Sequence, residues 1–243
     1  MTSTPNIPPA EAAALIQGEL HRGRSAFQAD LWVVDWRGRA AVYKDFSRRP
    51  APIRATWGRI VAGRETRALE ALGGMEGLPR LLARVGKSGF IMERIEARRL
   101  PKDDDPPPPP IYFERAEALI GAMHERGVAH GDLRRKNLFI DDGARPWVID
   151  FGTAVVREAG LAGAVSRFLF ERVALADRLK LARLQGEYLP DSLSDEQRRA
   201  IARTPFYFRL GQWFRHRIVR PLKPRRRRRL WRRLRRRLKS KSR

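Results

Sequence analysis

The sequence predicts an α+β chain in two lobes, a small antiparallel sheet carrying one helix and then a reduced, mainly helical lobe. Three observations predict it. Residues 18–93 run through five short apolar stretches of strand length, interrupted once by a segment with helical spacing. Residues 101–110 hold three aspartates and five consecutive prolines, which support neither a helix interior nor a sheet ladder. Beyond that linker, helical periodicity dominates. At 243 residues the chain can bury one substantial core, or two small lobes that share a cleft.

The polar segment Met1 to Pro9 is expected to lack regular structure, and Ala10 to Leu20 reads as a short helix running into a first strand. Leu31-Trp32-Val33-Val34, a turn at Arg37-Gly38-Arg39 and Ala41-Val42-Tyr43-Lys44 continue a β-meander whose third strand carries Lys44. From Thr56 to Leu72 the spacing of Ile60, Ala68, Leu69 and Leu72 predicts a helix with these residues inward, stopping at Gly73-Gly74. Glu65 lies one turn before Leu69 and shares its side. Leu81 to Val85 and Gly89 to Glu93 complete the strands. After the linker, Ile111 to Arg126 is an amphipathic helix with Ala116, Leu119, Ile120 and Met123 inward, ending at Gly127. A helix around 159–184 follows, with Leu175, Leu179 and Ala182 inward, and another from an N-cap at Ser194 to about residue 203. The resulting division is 1–17, a flexible or helical start; 18–100, the first lobe; 101–110, the linker; 111–203, the second lobe; and 204–243, a basic aromatic tail.

Composition excludes several classes. No cysteine is present, so a disulfide framework and a thiolate metal site are ruled out, which fits a reducing cytoplasm. The first residues lack the basic start and apolar core of a secretory signal, and no apolar run reaches the roughly 18–20 residues of a membrane span. The net charge is +24, and residues 223–243 contain fourteen lysines and arginines and no acid, leaving +10 for residues 1–222. In that tail Leu230, Trp231, Leu234 and Leu238 fall on one side of an otherwise arginine-rich helix. Such a segment is suited to an anionic membrane surface, which would make the protein peripheral to the inner membrane face; nucleic acid or a ribosome is the alternative partner.

The chemistry concentrates in residues 130–152. His130-Gly131-Asp132-Leu133-Arg134-Arg135-Lys136-Asn137 precedes two apolar triplets, Leu138-Phe139-Ile140 and Trp147-Val148-Ile149, and then Asp150-Phe151-Gly152. A hairpin built from the triplets brings its outer ends together, placing Asn137 beside Asp150. An amide oxygen and a carboxylate there are hard ligands suited to Mg²⁺, with Asp132 on the loop feeding the same spot. That is a site for phosphoryl transfer. Taken singly, a strand lysine is a solvated side chain and a helical glutamate a surface ion-pair partner; the ordered combination carries the reading.

From Gly18 to Leu184 the order of elements and motifs resembles the protein-kinase-like superfamily. The resemblance implies a two-lobed protein-kinase-like fold that uses ATP and Mg²⁺. It implies that Asp132 accepts the proton of the attacking hydroxyl, that Arg134 lies near the transferred phosphate, and that Asn137 and Asp150 hold the metal. Lys44 would hold phosphates and Glu65 would pair with it, with Gly23, Ser25 and Glu93 completing the nucleotide-contacting set. Only Gly18 and Gly23 lie where a glycine-rich loop is expected, and Ser25 would supply part of the missing donation. Gly131 replaces the arginine that binds a phosphorylated activation loop in many regulated kinases, and no Ala-Pro-Glu follows Asp150, so switching through that loop is not expected. His-Gly-Asp together with the short second lobe looks like the small atypical bacterial and archaeal kinases, namely the RIO type, the Bud32-like kinases and the lipopolysaccharide-core sugar kinases. The implied acceptor is a protein serine or threonine or a lipid-linked sugar. The competing class is a nucleotide-binding pseudokinase module that reaches an anionic surface through its tail.

Overall fold

The computed structural model describes residues 4–101, 106–157 and 163–202. Up to Leu193 these pack as one compact unit. It opens with β1 (Asn6–Ile7), α1 (Pro9–Ala14), β2 (Ile16–His21), β3 (Asp30–Trp36) and β4 (Arg39–Asp45). Trp36 pairs with Arg39 across a two-residue turn, and both turn residues, Arg37 at φ 56° and Gly38 at φ 79°, take the left-handed conformation that matches strand twist. α2 (Ala51–Ile53) and a π-helical turn (Arg54–Gly58) lead into α3 (Arg59–Leu72), which stops at Gly73 in the left-handed conformation. β5 (Leu81–Val85) and β6 (Gly89–Glu93) fall where the sequence places them and complete a six-stranded sheet, order β1-β5-β6-β4-β3-β2.

All neighbours in this sheet are antiparallel except β1 and β5. The N-terminal segment is therefore not the structureless start expected from its polarity. Asn6 and Ile7 pair with Arg84 and Val85, and Ile7 is buried under the sheet. Strand alternation sorts the side chains. Trp32, Val34, Ala41, Tyr43, Ala83, Val85 and Ile91 form one apolar face, closed by Ile7 and Ala12. Lys44 and Phe90, register partners one step out of phase with that set, serve the other face.

On α3 the inward positions are Val61, Ala62, Glu65, Thr66, Ala68, Leu69 and Leu72. Ile60 is 49% exposed, contrary to the apolar spacing, because Val61 occupies the core side of that turn. After β7 (Arg98–Arg99) comes α4 (Pro110–Glu125), which begins on a proline at its first position and buries Ala116, Leu119, Ile120 and Met123. β8 (Val128–Ala129), β9 (Leu138–Ile140), β10 (Pro146–Val148) and β11 (Val155–Val156) are short, and α5 (Gly163–Tyr188) follows. Leu179 and Ala182 on α5 are buried, whereas Leu175 is 41% exposed, a second departure from the apolar phase. One apolar cluster joins Ala62, Ala68, Leu69 and Leu72 of α3 to Phe113, Ala116 and Ile120 of α4 and to Leu133, Leu138, Val148 and Phe151. The fold is thus two-lobed, with a core continuous between sheet and helices.

From Ser194 onward a second unit begins, of which α6 (Asp195–Ala202) is described. The Ser194 hydroxyl accepts the Gln197 N–H at 3.1 Å, and the Gln197 side chain accepts the Ser194 N–H at 2.9 Å, a reciprocal cap. The basic aromatic segment 204–243, read above as an anchor for an anionic surface, lies outside the described residues. Among those described, no helix is long and apolar enough to cross a membrane.

Candidate active site

α4 ends at Gly127, where φ is 75°, and β8 delivers the chain to His130. β11 returns to β8 with Val155 opposite Ala129 and Val156 opposite Val128, so the loops after residue 130 and before residue 155 leave and re-enter through one clasp. Gly131 sits at φ 81°, and a Cβ there would stand 2.6 Å from the Thr153 carbonyl oxygen, so the position requires glycine. Asp177 of α5, fully buried, fixes this loop from below. Its carboxylate accepts the N–H of His130 at 2.7 Å and of Gly131 at 3.0 Å, and Lys180 donates to the Gly131 carbonyl at 2.7 Å. In the sequence Ala176 to Leu184 is similar to the helix that follows the metal site in the sugar kinases, or is an ordinary amphipathic helix, and neither reading gives Asp177 this task. The available signal was its phase, since Phe170, Leu181 and Leu184 share its side of α5 and are buried with it.

His130 is buried and bonded at both ring nitrogens. Nδ1 accepts the Asp132 N–H at 3.2 Å, and Nε2, 3.0 Å from the Ile149 carbonyl oxygen, must carry the hydrogen. Burial lowers its pKa from the ordinary value near 6.5, against the pull of Asp177. Below that pH the unfolded chain binds a proton that the folded ring refuses, so stability falls as the medium is acidified. The slope contributed by this one group approaches about 1.4 kcal/mol per pH unit. Urea unfolding between about pH 7 and pH 5 should show a shallower loss in His130→Gln than in the unmodified chain; parallel curves would show that His130 is not the group responsible.

Seven polar side chains, of Lys44, Glu65, Asp132, Arg134, Lys136, Asn137 and Asp150, converge above this floor. Asp132 Oδ2 accepts both Nε and Nη2 of Arg134, at 3.0 and 2.5 Å. Asn137 donates through Nδ2 to the Asp132 carbonyl at 2.9 Å, so Oδ1 is the atom it can offer a cation. Pairing of Leu138 with Val148 sets Asn137 opposite Ile149, whose N–H bonds to the Asn137 carbonyl at 3.0 Å. The second strand is Pro146–Val148 rather than 147–149, and Asp150 follows it at φ 73°. Lys44 Nζ lies 2.7 Å from Glu65 Oε2 and 3.1 Å from Asp150 Oδ1, which joins β4, α3 and the hairpin end. Lys136 Nζ stands 3.9 Å from Oδ2 of both Asp132 and Asp150.

Charge and burial act on these groups in opposite senses. Burial alone would lower the Lys44 ammonium, but Glu65 and Asp150 outweigh it and the pKa is raised. Lys44 in turn holds the Asp150 carboxyl below its ordinary value despite burial. Burial raises Glu65 against the attraction of Lys44. Lys136 is lowered by burial and by the neighbouring Arg134.

The remaining residues singled out in the sequence bond elsewhere. Gly23 donates its N–H to Asp30 Oδ1 at 2.8 Å, and Arg49 bonds to the same oxygen. The Ser25 carbonyl accepts the Gln28 N–H, closing the turn between β2 and β3, while Glu93 at the end of β6 accepts the Arg80 N–H at 3.2 Å. Among the described residues no group of three His, Cys, Asp or Glu side chains could cage a metal ion. Asn137 Oδ1 and the ionised Asp150 nonetheless fit Mg²⁺, which takes one or two protein oxygens and completes its shell from phosphates and water.

Comparison with known proteins agrees with this geometry. The family model of the RIO domain matches residues 41–166. The chain is similar to CBL-interacting protein kinase 16 of Oryza sativa subsp. japonica, 47% identical over 47 residues, which cover 19% of this chain and 10% of that protein. It is also similar to the EKC/KEOPS complex subunit BUD32 of Yarrowia lipolytica, 39% identical over 57 residues, which cover 24% of this chain and 23% of that protein. Its fold matches two crystal structures of the Rio2 kinase from Chaetomium thermophilum. One is an ADP/Mg²⁺–phosphoaspartate complex, at TM-score 0.51 and 20% identity over 79% of this chain and 63% of that one. The other matches at TM-score 0.53 and 19% identity over 79% and 65%. The chain therefore spans less than a quarter of these sequence relatives and under two thirds of the two structures.

Proposed function

The chain belongs to the RIO domain family, and from that premise we propose that it is a Mg-ATP-dependent phosphotransferase with a hydroxyl acceptor. The observation that carries the proposal is the convergence of Lys44, Glu65, Asp132, Asn137 and Asp150 from four separate segments into one bonded cluster. In this reading Lys44, held by Glu65, grips nucleotide phosphates from the sheet. Asp132, oriented by its own backbone bond to His130 and by Asn137, accepts the proton of the attacking hydroxyl. Asn137 and Asp150 would hold Mg²⁺, which when bound neutralises charge on the phosphates. The acceptor is a protein serine or threonine, as the RIO-type resemblance implies, or a lipopolysaccharide-core sugar.

The test uses the full chain with Mg²⁺ and ATP labelled at the γ-phosphate, alone and with protein, sugar and lipid acceptors. Label should appear on the chain itself or on an acceptor and should disappear when Mg²⁺ is chelated. If ATP raises the unfolding temperature while no label moves and no phosphate is released, the phosphotransferase reading fails and a nucleotide-binding module remains.

A further inference from the structure

Three consecutive basic residues follow Leu133, and the structure gives them different tasks. The Arg135 guanidinium turns away to the Pro101 carbonyl, 3.2 Å distant. Arg134 lies on Asp132, with its side chain 46% exposed. Lys136 reaches the carboxylates of both Asp132 and Asp150 at 3.9 Å while its side chain remains 51% exposed, so its ammonium stands at the boundary between the cleft and solvent.

We propose that Lys136 is a specificity-determining residue that selects an acceptor carrying a phosphate or carboxylate close to the hydroxyl to be phosphorylated. The inference rests on the phosphotransferase reading and adds the chemical class of the acceptor to it. A hydroxyl bonded to Asp132 Oδ2 at the usual distance of about 2.7 Å lies within about 7 Å of Lys136 Nζ. Atoms a few bonds from that hydroxyl therefore fall within direct contact of the ammonium. In the working complex the hydroxyl would engage Asp132, and Asp150 together with Asn137 would hold Mg²⁺, so Lys136 would share or give up both of its partners. An anion on the acceptor replaces them. A cation in the same place meets Lys136 and Arg134 at close range and is rejected.

Fixed cations next to the reacting hydroxyl also raise the local concentration of anionic acceptors. The anion can come from a sugar phosphate or sugar acid, or from an acidic or phosphorylated residue beside a serine. Both present the same group to Lys136, and the experiment separates them.

The decisive measurement is binding of inorganic phosphate to the full chain when the nucleotide pocket is already filled with Mg²⁺ and a non-hydrolysable ATP analogue. Comparing the unmodified chain with Lys136→Gln and Lys136→Glu removes the contribution of phosphate bound elsewhere, including the basic tail. Phosphate should bind about fivefold more weakly to Lys136→Gln, and more weakly still to Lys136→Glu. A second arm follows label transfer to two matched pairs, a serine peptide with glutamate neighbours against its glutamine counterpart, and a sugar 6-phosphate against the parent sugar. The pair in which the anionic member wins identifies the source, and Lys136→Glu should abolish that preference. Phosphate binding that is absent, or equal in all three proteins, overturns the proposal, as does a preference for the neutral members. Loss of all label transfer with the Lys136-dependent phosphate binding intact would count against the phosphotransferase reading and leave the anion site standing.

Discussion

Replacing Asp132 by asparagine should lower phosphoryl transfer by about 10²- to 10⁴-fold, the range associated with a positioned proton acceptor, while ATP still stabilises the fold. The substitution keeps shape and the main-chain bonds of the loop, in which the Asp132 N–H meets His130 Nδ1 and the Asp132 carbonyl accepts from Asn137. What it removes is the charge and basicity at Oδ2, the atom that both Arg134 nitrogens find in this structure. Label transfer and thermal shift measured on one preparation separate the two effects. An unchanged rate would mean that Asp132 is not the proton acceptor.

Asp177→Ala should have the largest effect on stability, a loss of about 2–4 kcal/mol, because one buried and one half-buried main-chain donor then lack an acceptor, and a fully buried one costs about 1–3 kcal/mol. The donors are the N–H groups of His130 and Gly131, and the His124 ring lies 3.5 Å from the same carboxylate. Asp177→Asn retains one acceptor oxygen, and its loss should be smaller. Urea unfolding of both variants checks the order. If alanine and asparagine cost the same few tenths of a kcal/mol, the loop is not held from α5.

Much of the site was legible because chain-local rules set it. The turn-rich residues 141–146 between two apolar triplets dictate a hairpin, and a hairpin brings Asn137 to the segment that ends in Asp150. Lys44 and Glu65 could be placed on a strand and a helix by periodicity, and the 2.7 Å contact between them follows from the packing of that helix on the sheet. What stayed hidden depends on partners distant in sequence. A two-residue strand such as Asn6–Ile7 has no pattern of its own and exists only because β5 offers an open edge. The exposure of Ile60 reflects the rotational phase of α3, on which the buried polar residues Glu65 and Thr66 occupy core positions that an apolar count overlooks. The grip of Arg134 on Asp132, and the task of Gly23 as a donor to Asp30 within its own loop, likewise need coordinates.

The contact of Lys44 with both Glu65 and Asp150 ties β4, α3 and the end of the hairpin together. Where such an ion pair must be assembled first, the competent conformer is a minority and apparent affinity falls in proportion to its share of the population. In the proposed phosphotransferase a displacement of α3 that parts Glu65 from Lys44 would therefore act on nucleotide affinity, which makes that helix the lever of the fold.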